Sequence, residues 1–298
     1  MRWPITWAWD MALSALLLSL LVLFSIELGK SRSLRKWAGF GLLWGFAALT
    51  NPSLLSVLPF TLAWPAWHLH TKAQPRCAAP PSPKIARDGV ALRPLVVALV
   101  TFVLMVTPWL MRNWIVFGKF VFIRGNFPFE FTMGNYVGSN GMGWIGRHPI
   151  SNSWLYAHYQ QIGEMQFVAD AKQEAIHFLR HDPGEFFRLT VKRFFDFWDG
   201  NSLNYQPFEP WHPWEFLTLS LLGILGTARA LDARVKGGFV LATTLAFYPV
   251  AYYLTFTHTR YRHAIEPLLV LLAVYYVQEM FSRLRALGSR RTLRPSSS

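Results

Sequence analysis

Charge is scarce in this chain: of 298 residues only 15% are Asp, Glu, Lys or Arg, while 52% are hydrophobic and 16% aromatic. A water-soluble globular domain carries about 25% charged residues, so the polar surface needed to cover one is missing. Cysteine is nearly absent, and the single Cys77 excludes an intrachain disulfide framework and any cysteine-based zinc site. There is no H-E-x-x-H, no G-x-S-x-G nucleophile elbow and no internal repeat, and low complexity is limited to 78–83 and the serine tail. The one N-x-S match, Asn51-Pro52-Ser53, is disqualified by its proline. Acids are outnumbered by bases, 16 against 29, which leaves a formal net charge of +13. In a soluble protein that excess would point to nucleic acid; here the placement of the apolar residues gives another account.

Those residues come in long blocks separated by charged, Pro-rich or Gly-rich stretches, as spans and loops do. A helix crossing the hydrocarbon core needs about 20 mostly apolar residues. Met11–Leu28, 94–111, 216–228 (short, extended toward Trp211), 237–256 and 264–281 are candidates. The run 37–67 is too long for one span and is broken by Asn51-Pro52, where proline removes a donor and clashes with the preceding turn. It reads as a tight helical hairpin. The expected fold is an all-α polytopic membrane protein of about seven transmembrane helices. Residues 1–111 hold four of them and a basic cytoplasmic linker at 68–93, 213–282 hold three, and 283–298 form a basic cytoplasmic tail. One helical extramembrane subdomain, 112–212, lies between the fourth and fifth spans.

The basic residues test that topology, because cytoplasmic loops are enriched in them. With the N-terminus outside, 17 of the 29 basic residues fall inside with only four acids (Glu27, Asp88, Asp232, Glu279), and the outside holds 12 of each. The whole +13 excess then sits on one face. A single crossing by 37–67 would leave 14 basic residues outside against 15 inside and erase the bias. The expected location is a bacterial inner membrane, with the N-terminus outside and the C-terminus cytoplasmic. Met11–Leu28 reads as a span, since its positive flank follows the apolar run and no Ala-x-Ala-like cleavage site is present.

In the outer segment, 118–146 is a Gly/Asn-rich loop, and Phe167, Ala171, Ala175 and Phe178 share one helical face. His181-Asp182-Pro183-Gly184-Glu185 ends that helix and opens another, with Asp182 as N-cap, Pro183 at the first position and Glu185 as capping-box partner. The second helix gathers Phe187, Val191, Phe194, Phe195 and Trp198 on one side, beside Arg188, Lys192 and Arg193. A helix lying in the membrane interface and one packed on the subdomain both fit that pattern. Gly141 to Gly146 matches G-x-G-x-x-G, but no strand precedes it and Arg147-His148-Pro149 follows, so it reads as a turn-rich loop. His177 and His181 could share a helix face as metal ligands do, though without the rest of a ligand motif.

The most informative string is His258-Thr259-Arg260-Tyr261-Arg262-His263, which joins two spans on the outer face, where the positive-inside bias disfavours arginine. Guanidinium groups there need anionic partners, and a phosphate accepts their forked hydrogen bonds. Anchoring to lipid headgroups and pairing with Glu266 are the plainer alternatives. Arg112, Arg124 and Asn126 lie near outer ends of spans and, with His258 and Tyr261, could line a basic pocket.

Several short stretches run in a familiar order: Trp9-Asp10, Gly41-Leu42-Leu43-Trp44-Gly45, Thr50-Asn51-Pro52, Thr107-Pro108-Trp109 with Arg112-Asn113, Phe117-Gly118, Arg124-Gly125-Asn126, and Arg260-Tyr261-Arg262 with Glu266-Pro267. In these the chain resembles bacterial polytopic glycosyltransferases of the GT-C type, in the family related to protein O-mannosyltransferases. That resemblance implies transfer of a sugar from a polyprenyl-phosphate carrier to a glycan, lipid or protein acceptor at the outer face, with Arg260 and Arg262 on the donor phosphate. It also implies an acidic residue in a first outer loop, acting as base or as ligand to a divalent metal. Asp10 matches the family's later Trp-Asp element, so this chain is expected to lack the first spans and the acidic loop, and no catalytic base is assigned. A catalytically inactive, lipid-binding scaffold is the alternative. A transporter is a weaker one, because the ionisable residues cluster at span ends.

Overall fold

The structure, a computed structural model, describes residues 10–72, 84–200 and 213–292; Trp9, Cys77, Arg76 and Trp211 lie outside the described residues. Every regular element among those residues is helical. Four helices are long and apolar enough to cross a membrane: Met11–Leu28, Leu92–Phe117, Trp214–Asp232 and Glu266–Ala286. A fifth apolar helix, Gly238–Leu254, is shorter.

Helix α1 (Asp10–Leu28) is followed by α2 (Leu34–Thr50), a 3-10 turn (Pro52–Ser56) and α3 (Leu58–Lys72). Asn51 makes the break. Its extended backbone leaves the helix, its side chain accepts from the Ser53 N–H at 3.1 Å, and its amide donates to Ser14 Oγ at 3.3 Å. The hairpin expected across 37–67 is therefore present as two helices. At 17 and 15 residues, α2 and α3 rise only about 26 and 23 Å at 1.5 Å per residue, short of a hydrocarbon core of about 30 Å. Helix α4 (Lys84–Phe117) runs six residues past 111, so the fourth apolar helix ends later than its hydropathy suggests.

Beyond it come α5 (Phe127–Gly134), α6 (Ser153–Ile162), α7 (Glu164–His181) and α8 (Pro183–Asp199), then α9 (Pro213–Asp232), α10 (Gly238–Phe247), α11 (Val250–Leu254), α12 (Thr259–Arg262) and α13 (Glu266–Thr292). Contacts sort the ends of the bundle. At one end, Lys236 lies 3.9 Å from Glu27, a Cβ on Gly29 would touch His68, and Arg229 pairs with Glu279. At the other, Arg124 reaches Thr50 and Asn135 reaches Leu254. Helices α1, α3, α9 and α13 run from this loop end to the first, basic end, and α2, α4 and α10–α11 return.

Two close approaches set the packing. A Cβ on Gly41 would fall 2.1 Å from Ala98 O, and one on Gly45 2.5 Å from Met105 Cβ, so small residues let α2 lie against α4 as membrane helices do. Thr101 Oγ1 donates across the same contact to Ala38 O at 3.0 Å. Gly226 plays that part for α9 on α13, where a Cβ would meet Leu272 O at 2.0 Å. Leu18, Leu21, Trp37, Trp44, Tyr248, Ile265 and Leu269 fill the core, while Leu16, Leu23, Leu104 and Met111 point outward.

In the loop-end subdomain, Ala171, Ala175 and Phe178 are buried as their spacing requires, and Phe167 packs on Phe129 and Tyr159. Asp182 and Pro183 occupy their expected positions at the start of α8, but the capping box does not form. Glu185 is drawn instead to the guanidinium of Arg188 one turn on, at 2.6 and 2.8 Å, and Asp182 makes no side-chain cap. Gly141 to Gly146 is a loop with a single 3-10 turn, preceded by no strand. His177 and His181 stack at 4.0 Å, and among the described residues no three His, Cys, Asp or Glu side chains are grouped to hold a metal.

Candidate anion site at the loop end

The site is assembled by a turn that α4 holds in place. Trp109 Nε1 donates to Ile123 O at 2.8 Å, and Asn113 Nδ2 donates to Val121 O and Ile123 O at 3.1 and 3.3 Å. These bonds keep Ile123, a β-branched residue, at φ 51°, a left-handed conformation such residues seldom adopt. The turn sends Arg124 toward α2, where Nη2 donates to Thr50 O at 3.4 Å. Asn126 then opens α5 and, one turn on, donates from Nδ2 to Glu130 Oε1 at 3.0 Å.

Glu130 is one of three outer carboxylates, with Glu164 and Asp170, available as a base, none of which the sequence singles out. Burial pushes its carboxyl above the ordinary glutamate range, and the charges of Arg260 and Arg124 pull it back in part. Arg260 stands on α12, whose N-cap is His258: its Nδ1 accepts the Arg260 N–H at 3.3 Å. The Arg260 guanidinium donates to the Tyr261 hydroxyl at 3.0 Å and lies 5.0 Å from that ring. Tyr261 stacks on Tyr252 at 4.3 Å, and its carbonyl accepts from Tyr248 Oη at 2.9 Å. Burial pushes the Tyr261 hydroxyl up to about 12. Burial, then the Arg260 charge and His263, hold His258 down to about 4, so it is a neutral acceptor at physiological pH.

Arg124, Asn126, His258, Arg260 and Tyr261 thus join Glu130 at one end of the bundle. Arg112 stays on its own helix, with its guanidinium 5.2 Å from Trp109 and 5.5 Å from Phe117 and bonded to Asn113. Arg262 turns inward. Only 1% exposed, it donates to Trp198 O and Phe216 O at 3.2 Å, lies over the Phe216 ring and sits 4.0 Å from Glu266. Burial lowers its guanidinium to about 10, still charged at neutral pH. Its work is to fix the loop that presents Arg260.

A second buried arginine has no counterpart in the sequence reading beyond its charge. Arg193 of α8 is wholly buried and donates to Gly141 O (2.8 Å), Asn135 Oδ1 (2.9 Å), Gly134 O (2.7 Å), Tyr253 O (3.2 Å) and Leu254 O (3.5 Å). Asn135 adds bonds from Nδ2 to Leu254 O and Thr255 O. The pair clamps the end of α5, which carries Glu130, to the end of α11. The available signal was spacing: Leu189, Arg193, Asp196 and Phe197 fall on one helical face, opposite the exposed aromatics.

No protein-family model, curated protein or solved structure matches this chain.

Proposed function

We propose that the chain is a multi-pass membrane glycosyltransferase. In this reading it crosses the bilayer seven times with the loop end outside, and its Arg124 and Arg260 bind the phosphate of a polyprenyl-phosphate sugar. The observation that carries the proposal is the half-buried Glu130, held by Asn126 under the influence of two guanidinium groups at that end. The one-sided distribution of basic residues and the resemblance in the Thr107-Pro108-Trp109, Arg124-Gly125-Asn126 and Arg260-Tyr261-Arg262 stretches support the same reading.

In the reaction, the bond between the anomeric carbon and the phosphate oxygen breaks, and its electron pair leaves with the polyprenyl phosphate. The acceptor oxygen forms the new glycosidic bond and its proton passes to Glu130. Arginines aimed at the phosphate stabilise the charge that grows on it, and a carboxylate shielded from water is a better proton acceptor than one in bulk. Arg262 and Arg193 hold the loop and the helix that bear these groups. Among the described residues Glu130 is the carboxylate this cluster offers, and the two guanidinium charges beside it oppose a cation there.

Glu130→Gln tests the chemistry. With radiolabelled polyprenyl-phosphate mannose and polyprenyl-phosphate glucose as probes and a membrane extract as source of acceptors, the variant keeps donor binding and releases polyprenyl phosphate about 100-fold more slowly, the lower range for loss of a general base. Unchanged release in the variant removes Glu130 from the reaction. Binding without release in the wild type would make the chain a lipid-phosphate-binding scaffold.

A further inference from the structure

Helix α8 presents two unlike faces. Leu189, Arg193, Asp196 and Phe197 are buried, and Lys192 closes on Asp196 one turn away. On the other side, Phe187, Val191, Phe194 and Phe195 are 70%, 39%, 46% and 60% exposed. At about 200 Å² per phenylalanine the three rings leave roughly 350 Å² of aromatic surface uncovered, the size at which a patch marks an interaction surface.

The depth of the helix identifies what lies against that patch. Ser220 Oγ donates to Trp198 O, and a Cβ on Gly200 would meet the Phe216 ring at 2.8 Å. Ser220 is six residues into the apolar helix Trp214–Asp232, so the C-terminal end of α8 sits about 9 Å below that helix's start at 1.5 Å per residue. Trp198 Nε1 also donates to Tyr253 Oη at 2.7 Å, and the Phe194 ring packs 5.4 Å from Tyr253, in the last turn of the apolar helix Gly238–Leu254. The C-terminal half of the aromatic face therefore lies alongside the loop-end turns of these apolar helices.

We infer that α8 is an interfacial helix, whose Phe187, Val191, Phe194 and Phe195 face insert into the headgroup–acyl boundary of the bilayer those helices cross. Lipid is the occupant because Phe194, Trp198 and Gly200 pack on the loop-end turns of helices whose own outward residues, such as Leu221 and Phe247, are apolar and exposed. Aromatic residues beside Arg188 and Lys192 also match the composition of helices that lie in that boundary. The insertion fixes the depth of Arg193, and through it the end of α5. It requires no glycosyl transfer, so it stands or falls separately from the enzymatic reading.

The test is site-directed nitroxide labelling in a Cys77→Ser background, with single cysteines at Phe187, Phe195 and, as a water-facing reference, Lys172 on α7. The protein is held as one copy per lipid nanodisc. Collision of each label with oxygen and with a water-soluble nickel chelate is measured, after the melting temperature confirms that each variant is folded. The expected result is an oxygen-to-nickel ratio about threefold or more higher at 187 and 195 than at 172, as for side chains in the acyl boundary. Equal ratios at all three positions overturn the inference. So does protection that appears only in discs holding two copies with spin–spin broadening, which would assign the face to a second copy of the chain. Phe187 is 70% exposed, so Phe187→Cys removes little packing and keeps the test readable if Phe195→Cys unfolds.

Discussion

Replacing Arg193 by leucine removes the clamp between α5, the 134–141 segment and α11. Five oxygens lose a donor: Gly134 O, Gly141 O, Tyr253 O, Leu254 O and Asn135 Oδ1, of which Gly134 O keeps Ser139 Oγ and Leu254 O keeps Asn135 Nδ2. Each hydrogen bond from a charged group contributes about 1.5–3 kcal/mol, but leucine also escapes the desolvation of a buried guanidinium. The net loss is about 3–5 kcal/mol, the range for breaking a buried charged network from one side. At about 2–4 °C per kcal/mol, melting falls by roughly 6–20 °C. The assay is tryptophan fluorescence or nano-calorimetry in detergent at one fixed scan rate, since membrane proteins often unfold irreversibly. Arg193→Lys recovers less than half of the loss, because a point ammonium cannot span partners arranged for a planar fork. Exposed Arg180→Leu on α7 stays within about 1 °C of wild type. A melting point for Arg193→Leu within about 2 °C of wild type would refute the clamp.

Three further outcomes follow from the same geometry. His258, held at about 4 against an ordinary 6.5, excludes its proton when folded, so stability is full above about pH 6.5 and falls as pH drops toward 4; a melting series from pH 7.5 to 4.5 shows this slope, and His258→Asn, which keeps a capping acceptor, flattens it. Glu130 is shifted the other way, so the acid limb of the pH–rate profile lies above the ordinary glutamate value of 4.5; a limb at or below that value contradicts the assignment of Glu130 as base. Gly226→Val drives a Cβ into Leu272 O and abolishes a monodisperse peak on size exclusion, whereas Gly39→Ala, with nothing within 4 Å, is neutral or up to about 1 kcal/mol stabilising by helix propensity.

Much of the scaffold was legible because membrane helices advertise themselves by length and hydropathy: Met11–Leu28 and the break at Asn51-Pro52 follow from composition and from proline's missing donor. The helical face 171, 175 and 178 was legible for the same reason, since periodicity reports which side of one element is buried. What periodicity does not report is the partner. Arg260 and Arg262 are two residues apart with the same charge, yet one lies by Glu130 and the other is sealed against Trp198 O and Phe216 O. The difference comes from Trp198 on α8 and Phe216 on α9, 64 and 46 residues earlier, which no local pattern encodes. Arg193 was not legible as a clamp because its partners lie 52 to 61 positions away, and Glu130 did not stand out from the other outer carboxylates because the nearby Asn126 says nothing of the distant Arg260 that also acts on it. The capping box failed for a local reason, competition: Arg188 offers Glu185 a charged fork where the backbone offers a single N–H.

The measurement that tests the central claim most directly is binding of undecaprenyl phosphate to the protein in nanodiscs of zwitterionic lipid, read by native mass spectrometry or by displacement of a fluorescent polyprenyl phosphate. The wild type and Arg262→Met are compared with Arg124→Ala/Arg260→Ala. The double variant is expected to bind at least about tenfold more weakly while melting within a few degrees of wild type, as for the loss of one or two charge-assisted hydrogen bonds at an accessible site. Arg262→Met is expected to lower the melting temperature instead. Equal affinity in the wild type and a folded double variant would contradict the anion site, and with it the reading of this chain as a polyprenyl-phosphate-dependent enzyme.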